Sequence, residues 1–263
     1  MSYTTRVTFL GTGTSQGIPM IGCKCPVCTS EDIHDNRLRS SVLVEHNGLS
    51  ILIDAGPDFR QQLLRADVCN LDAILLTHEH KDHTGGLDDV RAINYFSKKE
   101  LPIYCEARVK KSLEQEYAYA FSEYRYPGAP QFDVRIIDAE PFVIGHDDDI
   151  LTVTPIRVKH YTLPVLGFRI GDIAYITDAN KIDEEEYSKL KNLEVLVINT
   201  VRKQRHISHF SLQEAIDVAQ RIGAKNSYLT HLSHQIGTHA QLSTELPDGI
   251  HAAYDGLLLT LAN

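Results

Sequence analysis

The segment Thr77-His78-Glu79-His80-Lys81-Asp82-His83 concentrates three imidazoles and a carboxylate at the end of a short apolar strand, Asp72–Thr77. On extended backbone, residues two apart point the same way, so His78 and His80 can share one ion. The chain then turns, and Asp82 with His83 can reach a second ion near the first. Imidazole with carboxylate suits Zn, Mn or Fe at a hydrolytic centre. The glycines Gly85-Gly86 let backbone pack closely beneath such a centre. A second cluster is Gly22-Cys23-Lys24-Cys25-Pro26-Val27-Cys28, which holds three of the five cysteines. In a cytosolic chain this spacing reads as metal-binding sooner than as disulfides, and three thiolates need a fourth ligand for a closed tetrahedral site. Cys69 and Cys105 sit beside apolar residues and read as plain thiols.

The elements that must position these groups follow from patterning. Arg6–Leu10 alternates as a strand and runs into the turn-rich loop Gly11-Thr-Gly-Thr-Ser15, which lacks the Gly-Lys-Ser/Thr ending of a phosphate loop. Ser40–Glu45 and Ser50–Ile53 flank Asn47-Gly48, a strong hairpin signal. Phe59–Arg65 and Leu87–Phe96 read as helices, Pro102–Cys105 as a strand, Val109–Phe121 as a Tyr-rich helical segment and 124–131 as a loop. Strands follow at Val134–Ile137, Leu151–Val158, Gly167–Ile170, Ile173–Thr177 and Glu194–Asn199, with Glu184–Leu190 helical. Ser211-Leu-Gln-Glu214 is a capping box opening a helix to Ile222, stopped by Gly223. Tyr228–Thr230 and the stretch His251–Leu261 read as strands again. Hairpins early in each half, then alternation with helices, predict an α/β protein: two packed mixed sheets with helices outside, residues 1–263 forming one domain.

The run His78-x-His80-x-Asp82-His83 resembles the signature of the metallo-β-lactamase superfamily, whose fold is a four-layer αβ/βα sandwich. The resemblance spans nearly the whole chain. It implies that Asp54, ending Leu52-Ile53-Asp54, takes the family's early-strand aspartate position, that His160 completes a first metal set with His78 and His80, and that His231 completes a second with Asp82 and His83. Asp178 would bridge the two ions. His80 stands where diiron members typically carry Glu, which disfavours redox chemistry, and Asp178 replaces the Cys of typical β-lactamases. Two further features are similar to the PhnP-like phosphodiesterases of the carbon–phosphorus lyase pathway and, more distantly, to the tRNA 3′-processing endonuclease. One is His209 in His206-Ile-Ser-His209, matching a histidine assigned to leaving-group protonation, with His206 as its rival. The other is the 22–28 cysteine loop, for which His234 is the implied fourth zinc ligand. The resemblance also implies a homodimer.

The implied reaction is attack of metal-bound hydroxide on a small phosphodiester, cyclic ones included, with Asp82, Asp178 and His209 as catalytic residues. Its cofactors are two divalent ions (Mn or Zn, or else Fe) and one structural Zn. Alternatives on the same fold are a tRNA 3′-processing endoribonuclease, a lactone or thioester hydrolase, and a metal- or ligand-binding pathway protein without hydrolysis. Composition helps to sort these. With 26 Lys+Arg against 35 Asp+Glu the formal charge is −9, which argues against a body built to grip a long nucleic acid. The basic run Arg202-Lys203-Gln204-Arg205, beside His206, either is solvated or offers a guanidinium to substrate phosphate. The tyrosines 117, 119, 124 and 126 either line the cleft or pack a helix, and His34, His46, His146, His239 and His251 are left outside the sites. No apolar run approaches a membrane span, and the first residues lack a basic-then-apolar leader, so a cytoplasmic protein with no membrane partner is expected.

Overall fold

Period-two alternation along the strands sends one set of side chains between two sheets and the other set outward to helices. The computed structural model describes residues 4–146 and 149–262; residues 1–3, which carry part of the leader reading, and the His146 side chain lie outside it. In the first half run β1 (Thr4–Gly11), β2 (Ser41–His46), β3 (Leu49–Ile53), α1 (Phe59–Arg65), β4 (Ala73–Leu75), α2 (Lys81–Thr84), α3 (Val90–Ser97), β5 (Leu101–Cys105), α4 (Ala107–Glu116), α5 (Ala118–Phe121) and β6 (Phe132–Ile136). The second half runs β7 (Phe142–His146), β8 (Asp149–His160), β9 (Leu163–Ile170), β10 (Ile173–Ile176), β11 (Lys181–Ile182), β12 (Val195–Asn199), α6 (Leu212–Ile222), β13 (Asn226–Thr230), α7 (His239–Glu245), β14 (Ile250–Ala252) and β15 (Leu258–Ala262).

Among the described residues one sheet has the order β15-β1-β2-β3-β4-β5-β6, and the other β11-β8-β9-β10-β12-β13-β14 with β7 paired to β8. Phe9, Ile51, Ile53, Phe168, Tyr175 and Val197 form the core between the sheets. Their sequence neighbours Leu10 and Leu52 turn outward with Phe59 and Val90, while Ile176 and Ile198 turn outward with Ala215 and Leu242. The result is the four-layer sandwich of the metallo-β-lactamase fold. The β2–β3 hairpin turns on Asn47 and Gly48 at φ 50° and 78°, the left-handed pair that a two-residue turn demands. The helix α6 has its Ser211/Glu214 capping box and ends at Gly223 with φ 69°. No helix among the described residues is long and apolar enough to cross a membrane.

Several elements differ from expectation, β7, β11 and the short α2 among them, and four further differences bear on the packing. The 109–121 segment is two helices parting at Tyr117, whose buried hydroxyl donates to the Thr84 carbonyl at 2.8 Å and so ties the break to α2. The 184–190 turn is 3-10 rather than α. The helix α7 was not anticipated, although Thr238 and Gln241 form a capping box at its start. The 251–261 stretch is not continuous: β14 pairs with β13 in one sheet, β15 pairs with β1 in the other, and 253–257 crosses between them.

That crossing is held by Asp255, whose carboxylate accepts from Thr12 N (2.9 Å), Thr12 Oγ1 (2.8 Å) and Leu38 N (2.8 Å). Asp255→Ala would strand these donors in the interior and is expected to cost about 3 kcal/mol. Urea unfolding checks it: the midpoint should fall with little change in slope.

Candidate metal centre

Parallel pairing gathers the site. β3 lies parallel to β4, and β10, β12 and β13 are mutually parallel neighbours, so their carboxyl ends share two adjacent edges. Beyond those ends stand Asp54, the 77–83 segment, Asp178 and His231. Asp54, Asp178 and His231 adopt left-handed backbone, with φ of 64°, 52° and 58°. Such conformations cost free energy of order 1 kcal/mol or more and persist where surrounding structure holds them, commonly at functional sites. Gly56 and Gly86 let the Asp54 loop close on α2. A Cβ at Gly86 would collide with the Gly56 carbonyl oxygen, and one at Gly56 with that of Asp82.

The ligand atoms of Asp82, His83, Asp178 and His231 all lie within 4.8 Å of one another, as do those of His160, Asp178 and His209. Asp178 belongs to both groups. His83 Nε2 is 3.1 Å from both Asp82 Oδ2 and Asp178 Oδ2, and His231 Nε2 is 3.4 Å from Asp178 Oδ1. The rings of His78, His80 and His160 adjoin, with centroids 4.5, 5.8 and 5.3 Å apart. His78 is fully buried, while His80 is exposed at the rim.

Outer partners set which imidazole nitrogen faces inward. His83 Nδ1 contacts Asp54 Oδ2 at 2.6 Å. Thr77 Oγ1 donates to Asp54 at 2.9 Å and so accepts from His78 Nδ1 at 3.0 Å. Ser40 Oγ donates to the Gly13 carbonyl at 2.9 Å and accepts from His231 Nδ1 at 3.1 Å. His160 Nδ1 donates to the Ser208 carbonyl at 2.9 Å. Four imidazoles thus carry their proton on Nδ1 and turn Nε2 inward, the arrangement of outer-partnered metal-ligating histidine. His78 Nε2 is buried with no hydrogen-bond partner. This donor set fits divalent cations.

Charge balance agrees. Burial and the neighbouring His83 hold His78 well below the usual imidazole range, leaving it neutral. Burial would also lower His83, but the carboxylates of Asp82, Asp54 and Asp178 outweigh it and raise that ring well above the usual value. Asp178, despite its burial, is held well below the carboxylate range by His231 and His83. A proton on His83 occupies a place that a cation would take.

His209 is nine-tenths buried, its ring 4.6 Å from His160 and 5.0 Å from His231, and its Nδ1, without a hydrogen-bond partner, is 3.8 Å from Asp178 Oδ1. Burial pushes it down to about 3 against the pull of Asp178. His206 lies 5.0 Å away, its Nδ1 engaged by Ser208 N at 3.3 Å. A cleft of about 420 Å³ opens here, lined by the loop residues Thr14 and Ser15 with Arg202, His206, His209 and Gln235. The Arg202 guanidinium is held by the Arg205 carbonyl at 2.9 Å; Arg205 itself is exposed and stands outside the lining. Tyr124 and Tyr126 are exposed and absent from this lining, and Tyr117 packs in the core.

At the cleft wall, Cys23, Cys25, Cys28 and His234 form a third ligand cluster. His234 Nδ1 is 3.3 Å from both Cys23 Sγ and Cys25 Sγ. The backbone N–H of Cys28 lowers the Cys25 thiol to about 6, while burial raises that of Cys28 to about 11, so a bound cation would be needed to make thiolates of both. Cys28 Sγ accepts from Met20 N at 3.4 Å, and Met20 and His234 both line the cleft, so this cluster braces its wall. If this cluster holds the zinc that its cysteine spacing leads one to expect, Cys25→Ser should release one metal equivalent and lower Tm by roughly 4–8 °C, about 2 kcal/mol at this size. Metal analysis and a melting curve check it.

Sequence reasoning did not reach Thr77, Ser40 and the Ser208 carbonyl as partners of the imidazoles. Ser40 meets His231 across 191 residues and Ser208 meets His160 across 48, and a serine at such a distance carries no local signal.

Residues 50–232 match the family model described as a beta-lactamase superfamily domain. A solved structure described as a new diphosphatase from the PhnP family superposes with TM-score 0.91 and 35% identity, covering 100% of this chain and 99% of its own. The human tRNase Z short form matches in fold, with TM-score 0.71 and 20% identity over 97% of this chain and 98% of its own. A Porphyromonas gingivalis protein named octanoyltransferase is 45% identical over 255 residues, which is 96% of this chain and 51% of that protein. The chain thus spans about half the length of this curated relative. The matched residues include the 77–83 segment, Asp178 and His231, and the PhnP-family likeness runs end to end. The chain therefore belongs to the beta-lactamase superfamily and, within it, to the PhnP family.

Proposed function

We propose that both sheets together form one catalytic domain that hydrolyses a small phosphodiester, cyclic ones included. The observation that carries this reading is the Asp178 carboxylate, shared by the Asp82/His83/His231 cluster and by His160 with His209, whose unpartnered Nδ1 is 3.8 Å away. His78, His80 and His160 would hold one divalent ion, Asp82, His83 and His231 the other, with Asp178 between them. When bound, such a pair supplies an acidified water as nucleophile and positive charge for the phosphoryl oxygens. His209 would deliver a proton to the departing oxygen; because burial leaves its ring neutral, that proton must first be taken up beside the Asp178 carboxylate, which favours the protonated ring. Arg202 offers a guanidinium to a further anionic group of the substrate. Cys23, Cys25, Cys28 and His234 would hold a structural zinc.

A second reading has a specific support: the 35%-identical PhnP-family structure is described as a diphosphatase. The same groups would then cleave a P–O–P link instead of a C–O–P link. A net charge of −9 weighs against a precursor-tRNA substrate.

The deciding experiment is a panel on protein loaded with Mn, Zn or Fe: ribose cyclic phosphates, 2′,3′-cyclic nucleotides, substituted diphosphates, precursor tRNA, a lactone and a thioester. Turnover of the small phosphodiesters supports the first reading and of the diphosphates the second. Silence on every phosphorus substrate under all three metals would sink both.

A further inference from the structure

The residue between His78 and His80 has no place in the chemistry above, yet it is engaged. Glu79 pairs with Arg108, the second residue of α4. Arg108 is forked. One Nη contacts Glu79, while the other donates to the carbonyl of Pro164 in β9 and lies 3.4 Å from Glu106 Oε2. The other oxygen of Glu106 accepts from Arg157 Nη2 in β8 at 2.7 Å. The Arg157 backbone N–H in turn donates to Glu186 at 2.8 Å. The Glu79 and Arg108 side chains are about three-quarters buried, at 26% and 28% exposure.

The placement matters because His78 and His80 follow the carboxyl end of β4 in the first sheet, whereas His160 ends β8 in the second. Arg157 is three residues before His160, and Pro164 is in the strand that returns from it. Arg108 therefore touches the segment carrying His78 and His80 directly, and reaches β8 through Glu106 and through its pairing strand β9.

We propose that Arg108 is a positioning residue that fixes the spacing of the His78/His80 pair against His160 through Glu79, Glu106 and the Pro164 carbonyl. This rests on the reading of those three histidines as one metal set. Lysine in its place would supply charge to Glu79 but not the planar fork that spans three partners.

The test titrates zinc into metal-free full-length protein against a chromophoric chelator, with cobalt absorption distinguishing thiolate from imidazole sites. Arg108→Met is expected to weaken zinc at the His78/His80/His160 set by about 10–100-fold, the scale of losing an outer partner of a ligand. The Asp82/His83/His231 and cysteine sites should stay within about twofold. Glu79→Gln attacks the clamp from its other end and should shift the same site the same way. Arg108→Lys should recover part of the loss, and the Glu79→Gln/Arg108→Met pair should be no worse than the poorer single variant. Unchanged zinc affinity at that set, or an equal loss at all three sites, overturns the clamp. His160→Ala serves as the control for the ligand reading itself. If it releases no zinc, that reading falls and takes the clamp with it.

Discussion

Asp178→Ala is expected to abolish the two-metal state and to lower activity by well over the roughly 100-fold typical of losing an outer-shell partner. Two losses coincide. The carboxylate is common to the Asp82/His83/His231 group and the His160/His209 group, so removing it takes a ligand atom from each. It is also a counter-charge for His83 in a fully buried setting, where an unpaired charge is costly. Asp178→Asn keeps the shape but not the charge and should fall nearly as far. Metal content by elemental analysis, measured beside turnover of bis-(p-nitrophenyl) phosphate, is the check. Full metal content with full activity would show that Asp178 is no ligand.

The second large effect depends on the leaving group. A positioned general acid contributes about 10²–10⁴-fold, or roughly 3–5 kcal/mol, when the departing oxygen needs a proton. His209→Ala should therefore slow hydrolysis of an alkyl phosphodiester by that factor. A p-nitrophenyl ester, whose phenolate leaves without protonation, should be nearly unaffected. A diphosphate, whose leaving phosphate is itself stable as an anion, should fall between them. His209 also lies within 4.8 Å of ligand atoms of His160 and Asp178, so it could instead ligate. In that case both esters would slow together and metal would be lost. Comparing the two leaving groups at constant metal content separates these outcomes.

Much of the scaffold is legible in the chain because it is written locally. The Asn47-Gly48 turn, the Ser211/Glu214 box and the apolar strands before Asp54, His78 and Asp178 each depend on residues within a few positions. The 251–261 stretch shows the limit. Its apolar pattern is the same whichever sheet receives it, and Asp255 reaching Thr12 and Leu38 decides where the chain crosses. Likewise Tyr117 ends a helix that propensity would continue, because its hydroxyl finds the Thr84 carbonyl.

The site divides in the same way. The 77–83 spacing and the 23–28 cysteine spacing declare metal chemistry by themselves, since few other uses place so many ligand types so close. Arg202 and Arg205 are equivalent in the chain, and only the fold turns one toward the cleft and leaves the other in solvent. The inward-facing Nε2 atoms are a tertiary fact as well. They follow from Asp54, Thr77, Ser40 and the Ser208 carbonyl, groups drawn from separate strand ends and one loop. By itself, then, the sequence determined the ligand types and the strands that end at them, because both are short-range. The tertiary structure decided which nitrogen faces the centre, which carboxylate is shared and what clamps the two halves together. Those depend on groups that only the parallel edges of two packed sheets bring within hydrogen-bonding distance.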